Sequence, residues 1–122
     1  MLLVDTSVWI DHFRKEDAGL LRHLTNWNVC AHPFVIGELA LGHLRQRTVI
    51  LDRLRGLPKI AAAPDEKVSQ MIEDQSLQGL GIGYVDAHLL TAAKLSPGTL
   101  IWTRDKRLAA VASKLQLNAN PP

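Results

Sequence analysis

The sequence is poor in the residues that covalent cross-links and membrane insertion require. It contains one cysteine, Cys30, which excludes an intramolecular disulfide and, between apolar neighbours, is expected to be a buried thiol. No stretch approaches the roughly 18 consecutive apolar residues of a membrane-spanning helix. The apolar run at the N-terminus is interrupted by Asp5 and lacks the basic leader of a signal peptide. We therefore expect a cytoplasmic protein that does not interact with a membrane.

Several catalytic signatures are also missing. The five histidines form no HxxxH pair, and none lies at zinc-site spacing from the cysteine, so a surface or hydrogen-bonded role is expected for each. The glycine-rich segment 80–83 has neither the GxGxxG nor the Walker spacing, which predicts a plain turn. Ser7 lacks the glycines of a nucleophile elbow. Zinc hydrolases, P-loop enzymes and serine hydrolases are all disfavoured.

Length and composition are those of an ordinary globular chain. Its 122 residues suit one domain with one core, and its content of 47% hydrophobic and 21% charged residues is typical. We predict a single domain over residues 1–122. The net charge is +2, with basic residues concentrated at 45–59 and 104–107. These clusters are equally compatible with solvated helix faces and with phosphate contacts.

Short apolar segments alternate with helical patterns along the whole chain. Strands are predicted at 1–4, 28–31, 59–63 and 99–103, and a further one starts near residue 117. Helices are predicted at 6–14, 17–26, 33–44, 47–55, 64–75, 84–95 and 105–115. This alternation favours an α/β fold with a parallel sheet and helices on both faces.

Two predicted strands end in an aspartate that opens the next helix. Asp5 follows the first strand, and Asp105 follows the segment 99–103. Ligands of open parallel sheets bind at the carboxyl ends of the strands, which would give both acids a functional role. Aspartate is also a common helix N-cap, because its carboxylate accepts backbone N–H groups and faces the positive end of the helix dipole. Either reading explains each acid when it is considered alone.

Two further acids lie in apolar helices. Glu38 is the only ionisable residue of the apolar segment 34–42, and Asp86 lies near the start of the helix 84–95. A charge in such surroundings is costly unless it is paired or coordinated. The alternatives are a narrow exposed stripe for Glu38 and a favourable dipole position for Asp86.

Four carboxylates gathered at one edge of a sheet would repel one another, and a divalent cation would relieve that repulsion. Ligand sets made only of oxygen select Mg²⁺ or Mn²⁺ over zinc, and such sites suit phosphoryl chemistry. The hydroxyls of Thr6, Ser7 and Thr103 are suited to holding waters or phosphate oxygens. Arg104 and Lys106 are suited to binding a flanking phosphate.

Two other phosphate-handling folds fit poorly. A receiver domain requires an acidic pair after the first strand, and Asp5 has no acidic neighbour. A phosphatase of the haloacid dehalogenase type requires a second aspartate two residues after the first, where Ser7 stands.

Four segments resemble, in order, the motifs of PIN-domain ribonucleases, specifically the VapC-type toxins of bacterial toxin–antitoxin pairs. They are Leu3-Val4-Asp5-Thr6-Ser7-Val8-Trp9-Ile10-Asp11, Gly37-Glu38-Leu39, Val85-Asp86-Ala87 and Thr103-Arg104-Asp105. The resemblance covers essentially the whole chain. It implies a three-layer α/β/α PIN-like fold with a mostly parallel, roughly five-stranded sheet.

The resemblance also implies an activity, namely hydrolysis of RNA phosphodiester bonds by an endoribonuclease that uses Mg²⁺ or Mn²⁺. The family's catalytic and metal-binding positions are occupied by Asp5, Glu38, Asp86 and Asp105, and its polar positions by Thr6 and Thr103. The family implies a homodimer held inactive by a cognate antitoxin, which inserts a segment near the active site. The alternative is a binding module, either a catalytically degenerate PIN fold or a receiver-like domain.

Two helical regions carry more apolar residues than one small domain needs to cover. They run from Phe13 to Trp27 and from Val35 to Leu54. We expect a groove between them that accepts an antitoxin helix.

Overall fold

A three-stranded parallel sheet forms the centre of the computed structural model, which describes residues 1–119. Its strands are β1 (Leu2–Val4), β2 (Val29–Cys30) and β3 (Leu100–Trp102). The strand order is β2-β1-β3, so the N-terminal strand lies in the middle. Leu3, the central residue of β1, pairs with Cys30 on one side and Ile101 on the other, and all three residues are buried.

Two further segments extend the sheet in parallel through single bridges. Ala31 pairs with Lys59 beyond β2, and Ile101 pairs with Asn118 beyond β3. The five segments give the roughly five-stranded parallel sheet that was predicted. The predicted strand 59–63 is reduced to one bridge, because α3 begins at Pro33 and leaves residues 61–63 without a neighbouring strand.

The seven predicted helices are all present within residues 1–119. They are α1 (Thr6–Arg14), α2 (Ala18–Thr25), α3 (Pro33–Leu41), α4 (Arg47–Arg55), α5 (Asp65–Asp74), α6 (Tyr84–Leu95) and α7 (Lys106–Lys114). The largest difference concerns α3, which was expected to reach residue 44. It ends at Leu41 because the backbone of Gly42 is extended, and the left-handed Gln46 then starts α4. No helix in this part of the chain is long and apolar enough to cross a membrane.

One hydrophobic cluster draws on all ten elements. Its most buried helix is α6, in which every residue from Ala87 to Ala93 is buried. Cys30 is buried, as expected. The single domain over 1–122 stays a prediction, and residues 120–122 lie outside the described residues.

His88 differs from the expectation of a surface or hydrogen-bonded role, whereas His32 meets it through one ring nitrogen. Both residues are buried, and His32 Nε2 and the two ring nitrogens of His88 make no hydrogen bond in the described residues. The His88 ring packs against Phe34 and Tyr84 at centroid distances of 4.5 and 4.7 Å. Its Nε2 lies 3.4 Å from a carboxylate oxygen of Asp65, in a geometry that makes no hydrogen bond. Packing against aromatic rings explains how both rings are accommodated.

His32 joins β2 to α3 and makes the fold sensitive to acid. Its Nδ1 accepts a hydrogen bond from the backbone N–H of Phe34, at 2.9 Å, and caps α3. Burial, reinforced by the neighbouring His88, lowers the pKa of His32 from 6.5 to about 4. The unfolded chain therefore takes up this proton before the folded one does. The contribution of neutral His32 to the free energy of unfolding is complete above about pH 6.5 and is lost as the pH falls towards 4.

We expect acidification from pH 7 to pH 5 to cost the fold about 2 kcal/mol through His32. Urea unfolding at both pH values, in the parent and in His32→Asn, measures this cost. Asparagine keeps a capping acceptor but does not titrate in this range. The exposed His43→Asn serves as the matched control and should retain the parent's pH dependence. Equal pH dependence in His32→Asn and the parent would contradict the assignment.

Candidate active site

The carboxyl ends of β1 and β3 lie side by side. The backbone N–H of Asp5 donates to the carbonyl of Trp102 at 2.9 Å, which places the residues after both strands at one edge of the sheet. The side chain of Asp5 is buried there, with 7% of the residue exposed. The two predicted strand-end acids thus belong to one site.

Two hydroxyls fix the carboxylate of Asp5. Its Oδ2 accepts hydrogen bonds from Ser7 Oγ at 2.8 Å and from Thr103 Oγ1 at 2.7 Å. The same hydroxyl oxygens accept the backbone N–H groups of Arg104 and Asp105, both at 3.0 Å. Asp5 stands at the N-cap position of α1, but its side chain makes no capping hydrogen bond. Its capping role is therefore positional only, and the carboxylate is aimed at the site.

Glu38 reaches the same edge from α3. The helix buries Val35 and Leu39 and leaves Glu38 exposed, so the exposed-stripe alternative correctly describes its burial. Its carboxylate is nevertheless held in place, because Oε1 accepts a hydrogen bond from Thr6 Oγ1 at 2.7 Å. This contact joins α3 to the first residue of α1.

Asp86 lies in the first turn of α6 and is half-buried. Its Oδ2 accepts the backbone N–H of Gly83 at 3.1 Å. Burial raises the pKa of Asp86, the Gly83 N–H partly opposes the rise, and the charges of Asp5, Asp105 and Glu38 raise it further. Asp5, Asp105 and Glu38 are thus near enough to Asp86 for their charges to disfavour its ionised form.

Asp105 fulfils one of its two predicted roles, that of a helix cap. Its Oδ1 caps α7 by accepting the backbone N–H groups of Arg107 and Leu108, at 2.9 and 3.0 Å. Its Oδ2 makes no hydrogen bond within residues 1–119. A pattern common to the site follows: each of the four carboxylates has one oxygen held by the protein and the other free of hydrogen bonds in the described residues.

The donor set fits a hard divalent cation. Every donor is a carboxylate oxygen, and a cation would relieve the repulsion that raises the pKa of Asp86. Within residues 1–119 no three acidic, histidine or cysteine side chains are close enough to enclose a metal ion. The arrangement is therefore open, which suits Mg²⁺, since that ion usually keeps several waters and takes only one or two carboxylates.

The two predicted phosphate-binding cations have different surroundings. The guanidinium of Arg104 is paired with two carboxylates, at 2.6 Å from Asp17 and 3.3 Å from Asp11. A phosphate at Arg104 would compete with both. Lys106 is exposed and has no ion-pair partner among the described residues, so it is the freer of the two. Phosphate binding by either residue stays a prediction.

Sequence reasoning missed the partners that orient the acids. The backbone N–H of Gly83 holds Asp86, a contact signalled by their three-residue separation across a helix start. The pairing of Arg104 with Asp17 joins residues 87 positions apart and has no local signal. The assignment of each hydroxyl to a particular acid is likewise invisible in the sequence.

A groove of about 860 Å³ adjoins the site between α1 and the α3–α4 region. Its walls include Ile10, Phe13, Leu39 and Leu44, and it reaches Glu38. The predicted groove was expected to lie between the regions 13–27 and 35–54. The second region supplies most of the lining, whereas the first contributes only Phe13 and Arg14, and no residue of α2 lines the groove.

Comparison with known proteins identifies the family. The model of the PIN domain matches residues 2–114. Ribonuclease VapC32 of Mycobacterium tuberculosis, found in two strains, is 45% identical over 114 residues, which cover 93% of this chain and 92% of that protein.

Two solved structures share the fold. The crystal structure of PAE2754 from Pyrobaculum aerophilum superposes with a TM-score of 0.59 at 19% identity, covering 90% of this chain and 83% of that one. The structure of FitAB bound to an IR36 DNA fragment gives a TM-score of 0.59 at 16% identity, covering 93% and 91%. The chain belongs to the PIN-domain family and, within it, to the VapC-type ribonucleases.

Proposed function

We propose that this protein is a Mg²⁺- or Mn²⁺-dependent endoribonuclease that acts as the toxin of a toxin–antitoxin pair in the cytoplasm. The observation that carries the proposal is the set of four acids, Asp5, Glu38, Asp86 and Asp105, each with one carboxylate oxygen held by the protein and the other free of hydrogen bonds in the described residues. Burial and the charges of the other three acids raise the pKa of Asp86. The close similarity to a protein named as a ribonuclease supports RNA as the substrate.

In this proposal Asp5, Glu38 and Asp86 hold the cation directly or through water, and Asp105 completes the site or acts through a water. When bound, the cation supplies neutralisation of charge on the phosphate and a lower pKa for a nearby water. The protein itself orients the four carboxylates before the cation binds. Hydroxyls and backbone N–H groups hold one oxygen of each carboxylate, which limits their rotation and leaves the other oxygen for the ligand.

The test is cleavage of a labelled RNA by the purified protein. With Mg²⁺ or Mn²⁺ we expect cleavage, with EDTA we expect none, and excess cation should restore the activity. Undiminished cleavage in EDTA would refute metal dependence. Failure to cleave, together with no Mg²⁺ binding in titration calorimetry while all four acids are present, would establish the alternative of a degenerate binding module.

We further propose that a cognate antitoxin occupies the groove beside Glu38 and that the protein forms a homodimer. The groove is supported as a protein-binding surface by its apolar walls and its size. An occupant there would lie next to one of the four acids and could block access to the others. Light scattering after size-exclusion chromatography measures the assembly, and a monomer at all concentrations would contradict the homodimer.

A further inference from the structure

A second, smaller groove runs along the surface of α7. It has a volume of about 320 Å³ and is lined by Leu80, Lys106, Arg107, Ala110, Val111 and Lys114. We call it the α7 groove. Three of these residues are cations and none is an acid. The groove therefore presents one sign of charge on a concave surface, which raises the local concentration of anions.

The groove starts at the N-terminal end of α7, which Asp105 caps, and runs along the helix to Lys114. Its first cations directly follow Asp105, and the backbone N–H of Arg107 donates to that carboxylate. Lys106 and Lys114 are separated by about 12 Å along the helix axis, at 1.5 Å per residue. A ligand that touches the four acids and continues along α7 would meet these cations in succession.

Arg107 is seated on the glycine-rich bend. Gly81 has φ of +81°, and a Cβ at this position would lie 2.8 Å from Arg107 Cδ and 3.0 Å from its Nη1. The side chain of Arg107 thus lies directly on the backbone of Gly81, in space that any other residue would occupy. Neither Arg107 nor the two lysines makes an ion pair within the described residues, unlike Arg104.

We propose that the α7 groove binds the backbone phosphates of the RNA strand where it continues beyond the acidic site. This inference rests on the proposed function and adds the path of the substrate. The floor formed by Leu80, Ala110 and Val111 offers apolar contact to sugars or bases. The phosphate contacts contribute affinity for longer RNA and carry no sequence information themselves.

The experiment measures RNA binding in EDTA, so that cleavage plays no part. Fluorescence anisotropy with a labelled single-stranded RNA is recorded at several salt concentrations for the parent and for Lys114→Gln. Loss of one phosphate contact should reduce the slope of log K against log salt by about 0.7. The combined variant Arg107→Gln with Lys114→Gln should reduce it by about 1.4. A labelled dinucleotide should bind the parent and Lys114→Gln equally, because it is too short to reach the far end.

Two control variants separate this effect from net charge and from packing. Lys67→Gln removes an exposed cation on α5 and should leave the slope unchanged. Arg107→Lys keeps the charge and should also retain it. An unchanged slope in Lys114→Gln, or an equal change in Lys67→Gln, would overturn the proposal. If polyglutamate bound through Lys114 while RNA did not, the groove would be a site for an acidic protein. Cleavage with Mg²⁺ is scored separately, so the groove can fail while the proposed nuclease function stands.

Discussion

Replacing Asp5 with asparagine should lower the rate of RNA cleavage by about 10³-fold, the scale on which loss of a preorganised electrostatic group acts. The amide removes the negative charge of one of the four acids. Its oxygen can still accept from Ser7 and Thr103, so the fold should persist. Initial rates with Mg²⁺, measured beside circular dichroism and urea unfolding, test both parts. Cleavage at the parental rate by a folded Asp5→Asn would refute the proposed site.

The matched control for Asp5→Asn is Asp74→Asn. Asp74 is an exposed acid at the end of α5, outside the site, and its replacement changes the net charge by the same amount. We expect parental cleavage from it. A comparable loss in both variants would trace the effect to net charge instead of to the position of Asp5.

The second large effect is expected at Asp86 and has opposite signs for activity and stability. A carboxyl whose pKa is raised is harder to ionise in the folded chain than in the unfolded chain, so its charge opposes folding at neutral pH. Asp86→Asn should therefore raise the free energy of unfolding in EDTA by about 1 kcal/mol, in the range common for substitutions that relieve a strained active site. Because asparagine retains an acceptor for Gly83 N–H but removes a ligand, cleavage should fall by about 10²- to 10³-fold.

Urea unfolding with and without Mg²⁺ measures the stability part of this prediction. Cation binding to the folded state should stabilise the parent by an amount that grows with Mg²⁺ concentration, and should stabilise Asp86→Asn much less. A variant that is less stable than the parent in EDTA would show that the repulsion around Asp86 does not oppose folding.

The sequence was sufficient to predict features that depend on short segments. The helices are marked by local periodicity and end signals, and the acids by their position after apolar strands or within apolar helices. Asp5 and Asp105 could therefore be placed at one sheet edge as soon as their strands were taken to be parallel. Glu38 was singled out because its helix is otherwise apolar, although the structure leaves it exposed.

The features that could not be predicted depend on contacts between distant residues. Thr6 donates a hydrogen bond to Glu38, which is 32 positions away, whereas Thr103 donates one to Asp5, which is 98 positions away. The sequence does not indicate which hydroxyl binds which acid, because that pairing depends on how distant segments pack together. The shortening of the strand predicted at 59–63 could not be predicted for the same reason. Its pairing depends on a distant segment, in which α3 begins at Pro33 shortly after β2.

The place of β1 in the middle of the sheet bears on when the proposed nuclease could first act. β1 is made long before β3, so Thr103 reaches Asp5 only after a further 98 residues have been synthesised. Contacts of such long sequence separation form late, since closing the intervening loop is unfavourable until both strands are present. A chain still being translated therefore carries Asp5 and Glu38 but lacks the far wall of the site. The order of synthesis would therefore delay assembly of the proposed site until β3 has been made.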